Sequence, residues 1–125
     1  MDRFFTGSPD RVAKRLIGKT LRVGRKLGTI LEVTPQDQHD NANWIDSRPL
    51  FGSNPVDAYV APYRGGLLLF LRTGEEDTCV RIDKISIRGE TFSNPTQVCK
   101  AMGITEEQEG WVSYDGEKIV QIRWL

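Results

Sequence analysis

Asp37, His39 and Asp40 fall within four positions of one another, and His39 is the only histidine in the chain. An imidazole with a carboxylate on either side can orient a water molecule, or have its own pKa raised, so the trio is a candidate for general acid and base work. Glu32 is a further candidate, a carboxylate set in an apolar run between Leu31 and Val33. The competing reading of the first set is capping and solvated surface, and that of Glu32 is a strand residue facing solvent. One histidine with no cysteine nearby makes a poor metal site, and neither a metal nor any other cofactor is expected. Trp44, Tyr59 and Tyr63 could stack on a nucleobase. Tyr59 reads as a core strand residue, whereas Tyr63, between Pro62 and Arg64, is better placed to stack. The Arg64 guanidinium could both stack and grip an oxyanion, although an ordinary exposed turn arginine would have the same neighbours, Gly65 and Gly66.

These residues need elements to position them. The stretch from Gly28 to Gly66 contains two apolar segments, Thr29 to Val33 and Ala58 to Ala61, that read as strands bracketing a long polar loop from Pro35 to Asn54. Long ordered loops inside compact domains are often functional. Upstream, Ser8-Pro9-Asp10 has the cap, the proline and the acid of a helix start, Val12, Ala13, Leu16 and Ile17 share one helical face, and Gly18 supplies the stop. Thr20 to Val23 pairs with Thr29 to Val33 across a Gly24 to Gly28 hairpin. Leu67 to Arg72, apolar on both faces, reads as a central strand, with Thr78 to Ile87 as its partner across the turn from Thr73 to Asp77. Asn94-Pro95 opens a second helix that buries Val98, Cys99 and Met102 and ends at Gly103. Thr105 to Gln108 has the pattern of a capping box for another short turn. Trp111 to Tyr114 and Lys118 to Trp124 flank Asp115-Gly116, a two-residue hairpin signal. Together these predict a single α+β domain over 1–125, a curved, mainly antiparallel sheet with a few short helices.

At 125 residues, with 38% hydrophobic and 27% charged side chains, the chain is the size of one globular domain. No apolar run approaches the roughly 18 residues that span a bilayer, and no signal-peptide core is visible, so a cytoplasmic monomer without membrane contact is expected. Seventeen basic residues balance seventeen acidic ones, which leaves no overall electrostatic footprint for nucleic acid. Charge could still be segregated by surface, since Arg11, Lys14, Arg15, Lys19, Arg22, Arg25 and Lys26 make the N-terminal quarter basic, although ordinary solvated surface is the favoured reading. Cys79 and Cys99 sit among apolar neighbours and read as buried free thiols.

Several of these pieces, in order, resemble the alkyladenine (3-methyladenine) DNA glycosylases of the methylpurine type. Phe4-Phe5 followed by Val12-Ala-Lys-Arg-Leu-Ile-Gly-Lys19 resembles that family's opening. Gly28-Thr-Ile-Leu-Glu-Val33 is similar to its Gly-x-Ile-Val-Glu strand. Leu50-Phe-Gly52, Ala58-Tyr-Val60 and Gly65 are similar to its Met-Phe-Gly and Tyr-Val-Tyr-x-x-Tyr-Gly segments. Cys79-Val80 falls where it has Cys-Val-Leu-Leu-Arg, and Asn94 to Ile104 is similar to its Gly-Pro-Gly-Lys-Leu-Cys-x-Ala-Leu-Gly-Ile.

The resemblance implies an alkyladenine-glycosylase-like (FMT C-terminal-domain-like) fold. It also implies damaged duplex DNA as partner, flipping of an alkylated or deaminated purine, and hydrolysis of its glycosidic bond in base excision repair, without a cofactor. A free modified purine or nucleotide is the other expected ligand. Residue by residue the site is rewritten. The catalytic glutamate's position holds Thr34, the stacking tyrosine's Gln36, the wedge tyrosine's Arg64, a hairpin asparagine's Leu71 and an arginine's Asp83. Under the excision reading Asp37 or Glu32 takes the glutamate's role with His39 assisting. Thr34, Gln36, His39, Tyr59 and Tyr63 form the base pocket, and Arg64, Gly65, Lys14 and Arg25 contact DNA. Under the alternative, a degenerate binding module reads a modified base, nucleotide or DNA without cleavage, because Thr34 cannot serve as a carboxylate.

Overall fold

The computed structural model describes residues 3–36, 57–74 and 78–125. Asp37, His39, Asp40 and Trp44 all lie outside the described residues. After a 3-10 turn at Arg3–Phe5, helix α1 spans Pro9–Leu16. Its start is as the residues predict: the Ser8 hydroxyl accepts from the Arg11 amide at 3.4 Å and Pro9 takes a first-turn position where its missing N–H leaves nothing unsatisfied. Helix α2 (Pro95–Ala101) repeats the device, with the Asn94 side chain accepting from the Gln97 amide at 2.9 Å.

The strands are β1 (Thr20–Val23), β2 (Lys26–Gln36), β3 (Ala58–Tyr63), β4 (Gly66–Arg72), β5 (Cys79–Ile87), β6 (Glu90–Phe92), β7 (Gln108–Tyr114) and β8 (Ile119–Trp124). They form one sheet in the order β2-β1-β8-β7-β3-β4-β5-β6, antiparallel throughout except for the parallel β1–β8 pair. β2 also pairs with β5 from Thr29↔Ser86 to Gln36↔Cys79, so the sheet closes into a ring and β6 hangs on β5 outside it. The fold is thus α+β, with a mostly antiparallel, mixed sheet and two helices. Closure pairs most of the strand edges among the described residues, which removes much of the template for edge-to-edge association.

Leu21, Ile30, Leu69, Leu71, Ile82, Ile85, Val120 and Ile122 point into the ring, joined by Val12 and Leu16 of α1, Val98 of α2 and Met102 just past it. β4 is apolar on both faces for a reason: Leu69 and Leu71 fill the main core, while Leu68 and Phe70 bury themselves on the outer face with Cys79, Tyr59, Ala61 and Tyr63. Leu71 therefore contributes to the interior, not to a site. Among the described residues no helix is long and apolar enough to cross a membrane.

Four local expectations need correction. β2 runs through Pro35 to Gln36, because beyond Ile30 it pairs with β5 alone and a missing N–H on the open side breaks no ladder. Gly28 is a strand residue and not part of the turn; a Cβ there would stand 3.2 Å from Ile85 and 3.3 Å from Met102. Thr105 to Gln108 forms no helical turn, since Gln108 is taken into β7 opposite Val60. The Asp115 connection is longer than two residues: the Asp115 amide donates to the Ile119 carbonyl at 3.0 Å, and its carboxylate accepts from the amides of Glu117, Lys118 and Ile119.

Candidate functional site

The outer face of β2, β5, β4 and β3 gathers the polar residues that the sequence singles out. Register aligns Thr34 with Arg81, Arg81 with Phe70, and Phe70 with Tyr59, so the four lie side by side across four strands. The neighbouring row brings Gln36, Cys79 and Arg72 together. Gln36 is 4% exposed, buried against that row.

Asp83 joins them through an irregularity. Val33 pairs with Ile82 and Glu32 with Lys84, which leaves Asp83 as one extra residue on β5. Such a bulge re-aims the side chain it carries. Here Thr34 Oγ1 donates to Asp83 Oδ2, Arg81 Nε donates to Asp83 Oδ1 at 2.6 Å, and Arg81 Nη2 reaches Asp83 Oδ2 at 3.2 Å. The second Arg81 nitrogen also lies 3.5 Å from Thr34 Oγ1. Arg81 and Asp83 are 17% and 16% exposed, so the fork-on-carboxylate pair is largely out of water, where charge-assisted bonds are strong. Thr34 and Asp83, the two positions that the resemblance aligns with a glutamate and an arginine, are thus in contact in this chain.

A second group sits at the β3–β4 turn. Arg64 and Gly65 both have left-handed backbones, φ +47° and +79°, and Tyr63 pairs directly with Gly66, the geometry of a two-residue primed turn. The Arg64 guanidinium lies 5.2 Å from the centre of the Tyr63 ring, within cation–π range. Gly66 has no room for a side chain, because a Cβ would stand 2.5 Å from Thr96 Cγ2 of α2. Beside that contact a cavity of about 670 Å³ opens between turn and helix, lined by Tyr63, Arg64, Leu67, Cys99, Lys100 and Ile104 among others. Burial pushes the Cys99 thiol up to about 12.

No protein-family model matches this chain, and no curated protein is similar enough to count as a relative. The likeness to the glycosylases therefore stands on the ordered residues quoted above.

The remaining expected residues scatter. Glu32 is exposed and stands opposite Lys84, apart from the Thr34 cluster in its surroundings though close in the chain. Lys14 is exposed on α1, which starts where Gly7 packs against Gly74 at the β4–β5 turn. Arg25 lies in the β1–β2 turn at the other end of the ring. Burial also pushes the Asp57 carboxyl above its usual range, with the Arg72 charge opposing. Asp37 and His39 lie outside the described residues, and among those described no three metal-ligating side chains gather. Sequence reasoning missed Arg81, whose role follows only once Asp83 is known to bulge towards Thr34.

Proposed function

We propose that this chain is a glycosylase-like module that binds DNA and recognises a modified purine without hydrolysing its glycosidic bond. One observation carries the reading: the only carboxylate beside Thr34 among the described residues, Asp83, has both oxygens engaged by Arg81 and Thr34. A general base must hold a lone pair towards the water it activates, and an ion-paired, doubly bonded carboxylate is a structural group instead. Recognition is supported by the aromatic residues of the outer face. Tyr63 offers a ring already paired with a cation at an exposed hairpin tip, and Tyr59 continues the same outer face along β3. A flipped base can stack on the Tyr63 ring at that tip.

Excision is the second reading, favoured by the place of Asp37 directly after buried Gln36. Single-turnover assays on duplexes carrying hypoxanthine, ethenoadenine or a methylated purine, with alkaline cleavage to reveal abasic sites, separate the two. Tighter binding of a modified than an unmodified duplex, lost in Tyr63→Ala and without strand breaks, is expected. Strand breaks that vanish in Asp37→Asn would replace recognition by excision.

A further inference from the structure

Strand polarity places three hairpin turns at one end of the ring. β2 begins where β5 ends, and β5 ends where β4 begins, so the β1–β2, β3–β4 and β5–β6 turns share that end. Each carries an arginine: Arg25, Arg64 and Arg88, the last two with left-handed backbones at φ +47° and +51°. Helix α2 crosses between them. Its first turn packs on Gly66 through Thr96, and past its last turn Met102 and Gly103 approach Gly28 and Lys26.

Between the β1–β2 and β5–β6 turns lies a groove of about 530 Å³. Its lining includes the cations Arg25, Lys26 and Arg88 and the hydroxyl residues Thr20, Thr29 and Ser86, with no carboxylate among the described residues. The described acids near this end of the ring line other clefts. Glu106, Glu107 and Glu109 line a separate cleft beside Tyr59 and Leu125, and Glu90, at the start of β6, lines another with Gln97 and Lys100. In a chain of zero formal charge, three cations in one concave surface that no carboxylate lines among the described residues are a local concentration of positive potential, which clefts focus. Hydroxyls beside guanidinium and ammonium groups are the donor set that takes phosphate oxygens.

We infer that this groove is a binding site for consecutive phosphates of a nucleic-acid backbone, with Arg25, Lys26 and Arg88 as the contacting cations. A polymer fits better than an isolated polyphosphate because Arg64 and Lys100 continue the cations across the same end of the ring. The site rests on the nucleic-acid reading above but not on recognition of a damaged base.

The test is fluorescence anisotropy with a labelled, unmodified short duplex at several salt concentrations. The variants are Arg25→Ser/Lys26→Ser/Arg88→Asn, in which asparagine tolerates the left-handed backbone, the single variant Arg88→Lys, and Lys118→Ser at the other end of the ring. Unchanged circular dichroism and melting temperature confirm that the triple variant is folded. For three phosphate contacts the slope of log affinity against log salt becomes shallower by about 2.7, at about 0.9 per contact. Arg88→Lys and Lys118→Ser keep the wild-type slope. An unchanged slope in the folded triple variant overturns the inference, as does wild-type affinity that ignores salt. Groove-dependent binding of inorganic tripolyphosphate, with duplex affinity indifferent to the triple substitution, also overturns it. Should the triple variant lose slope while modified and unmodified duplexes bind alike, the groove stands and base recognition falls. Should lesion preference survive with the slope unchanged, the reverse holds.

Discussion

Replacing Arg81 by leucine removes both charge-assisted bonds from Asp83, at 2.6 and 3.2 Å, and leaves Thr34 as its side-chain donor among the described residues. At 16% exposure Asp83 cannot recover its hydration without opening the bulge. An exposed pair contributes about 0–1 kcal/mol, and losing one partner of a fully buried pair costs about 3–5 kcal/mol. The intermediate burial puts Arg81→Leu at about 2–3 kcal/mol, and Asp83→Leu at about the same, since it strands the guanidinium. The double leucine variant strands no charge, so it loses no more than about 2 kcal/mol, and the coupling between the sites is about 3 kcal/mol. Urea denaturation followed by tryptophan fluorescence measures all four corners of the cycle, with equal m-values as the check on two-state behaviour. Effects additive to within about 0.5 kcal/mol would refute a desolvated, mutually dependent pair, and with it the claim that Asp83 is too engaged to act as a base.

Gly110 faces the carbonyl oxygen of Arg123 so closely that a Cβ would meet backbone on β8, with Trp124 Cα 3.1 Å away. Gly110→Ala should therefore cost about 3 kcal/mol in the same urea titration, and a loss under about 1 kcal/mol would mean that β7 and β8 can separate there. The three amides at 2.8, 2.8 and 3.0 Å hold the Asp115 carboxyl below its usual range. That contribution is present above the unfolded value of 3.8 and lost as pH falls through the lower folded value. Asp115→Asn should thus lower the melting temperature at neutral pH, with the deficit shrinking below about pH 3.8; a deficit that persists in acid would show that the charge is not its source. With the Cys99 thiol pushed up to about 12, its thiolate is about one part in ten thousand at pH 8. A disulfide reagent should leave Cys99 untouched until urea unfolds the chain, and rapid native-state modification would mean that water reaches the wall between α2 and the β3–β4 turn.

Local chemistry was legible, and long-range register was not. Both helix starts, the doubly apolar β4, the two buried thiols and the β3–β4 turn follow from residue types a few positions apart, since caps, proline, alternation and glycine act locally. Closure of the ring is different in kind: Thr78 to Ile87 is a credible partner for Leu67 to Arg72, and nothing local says that it pairs for longer with β2. The bulge that makes the site stands between these cases. Inward-facing Val80 and Ile82 are followed by Ile85, three positions on instead of two, a phase slip visible in the sequence. Ile30 and Val33 on β2 show the same slip. Either slip alone announces only an irregular strand. Aligned across a ladder whose register neither strand contains, they turn Asp83 onto Thr34 and give Arg81 a carboxylate to clamp. The residue types of the site could thus be read in advance, but their contact is a property of the closed sheet. That contact, which engages both oxygens of Asp83, depends on the closed sheet and not on the residue at position 34 alone.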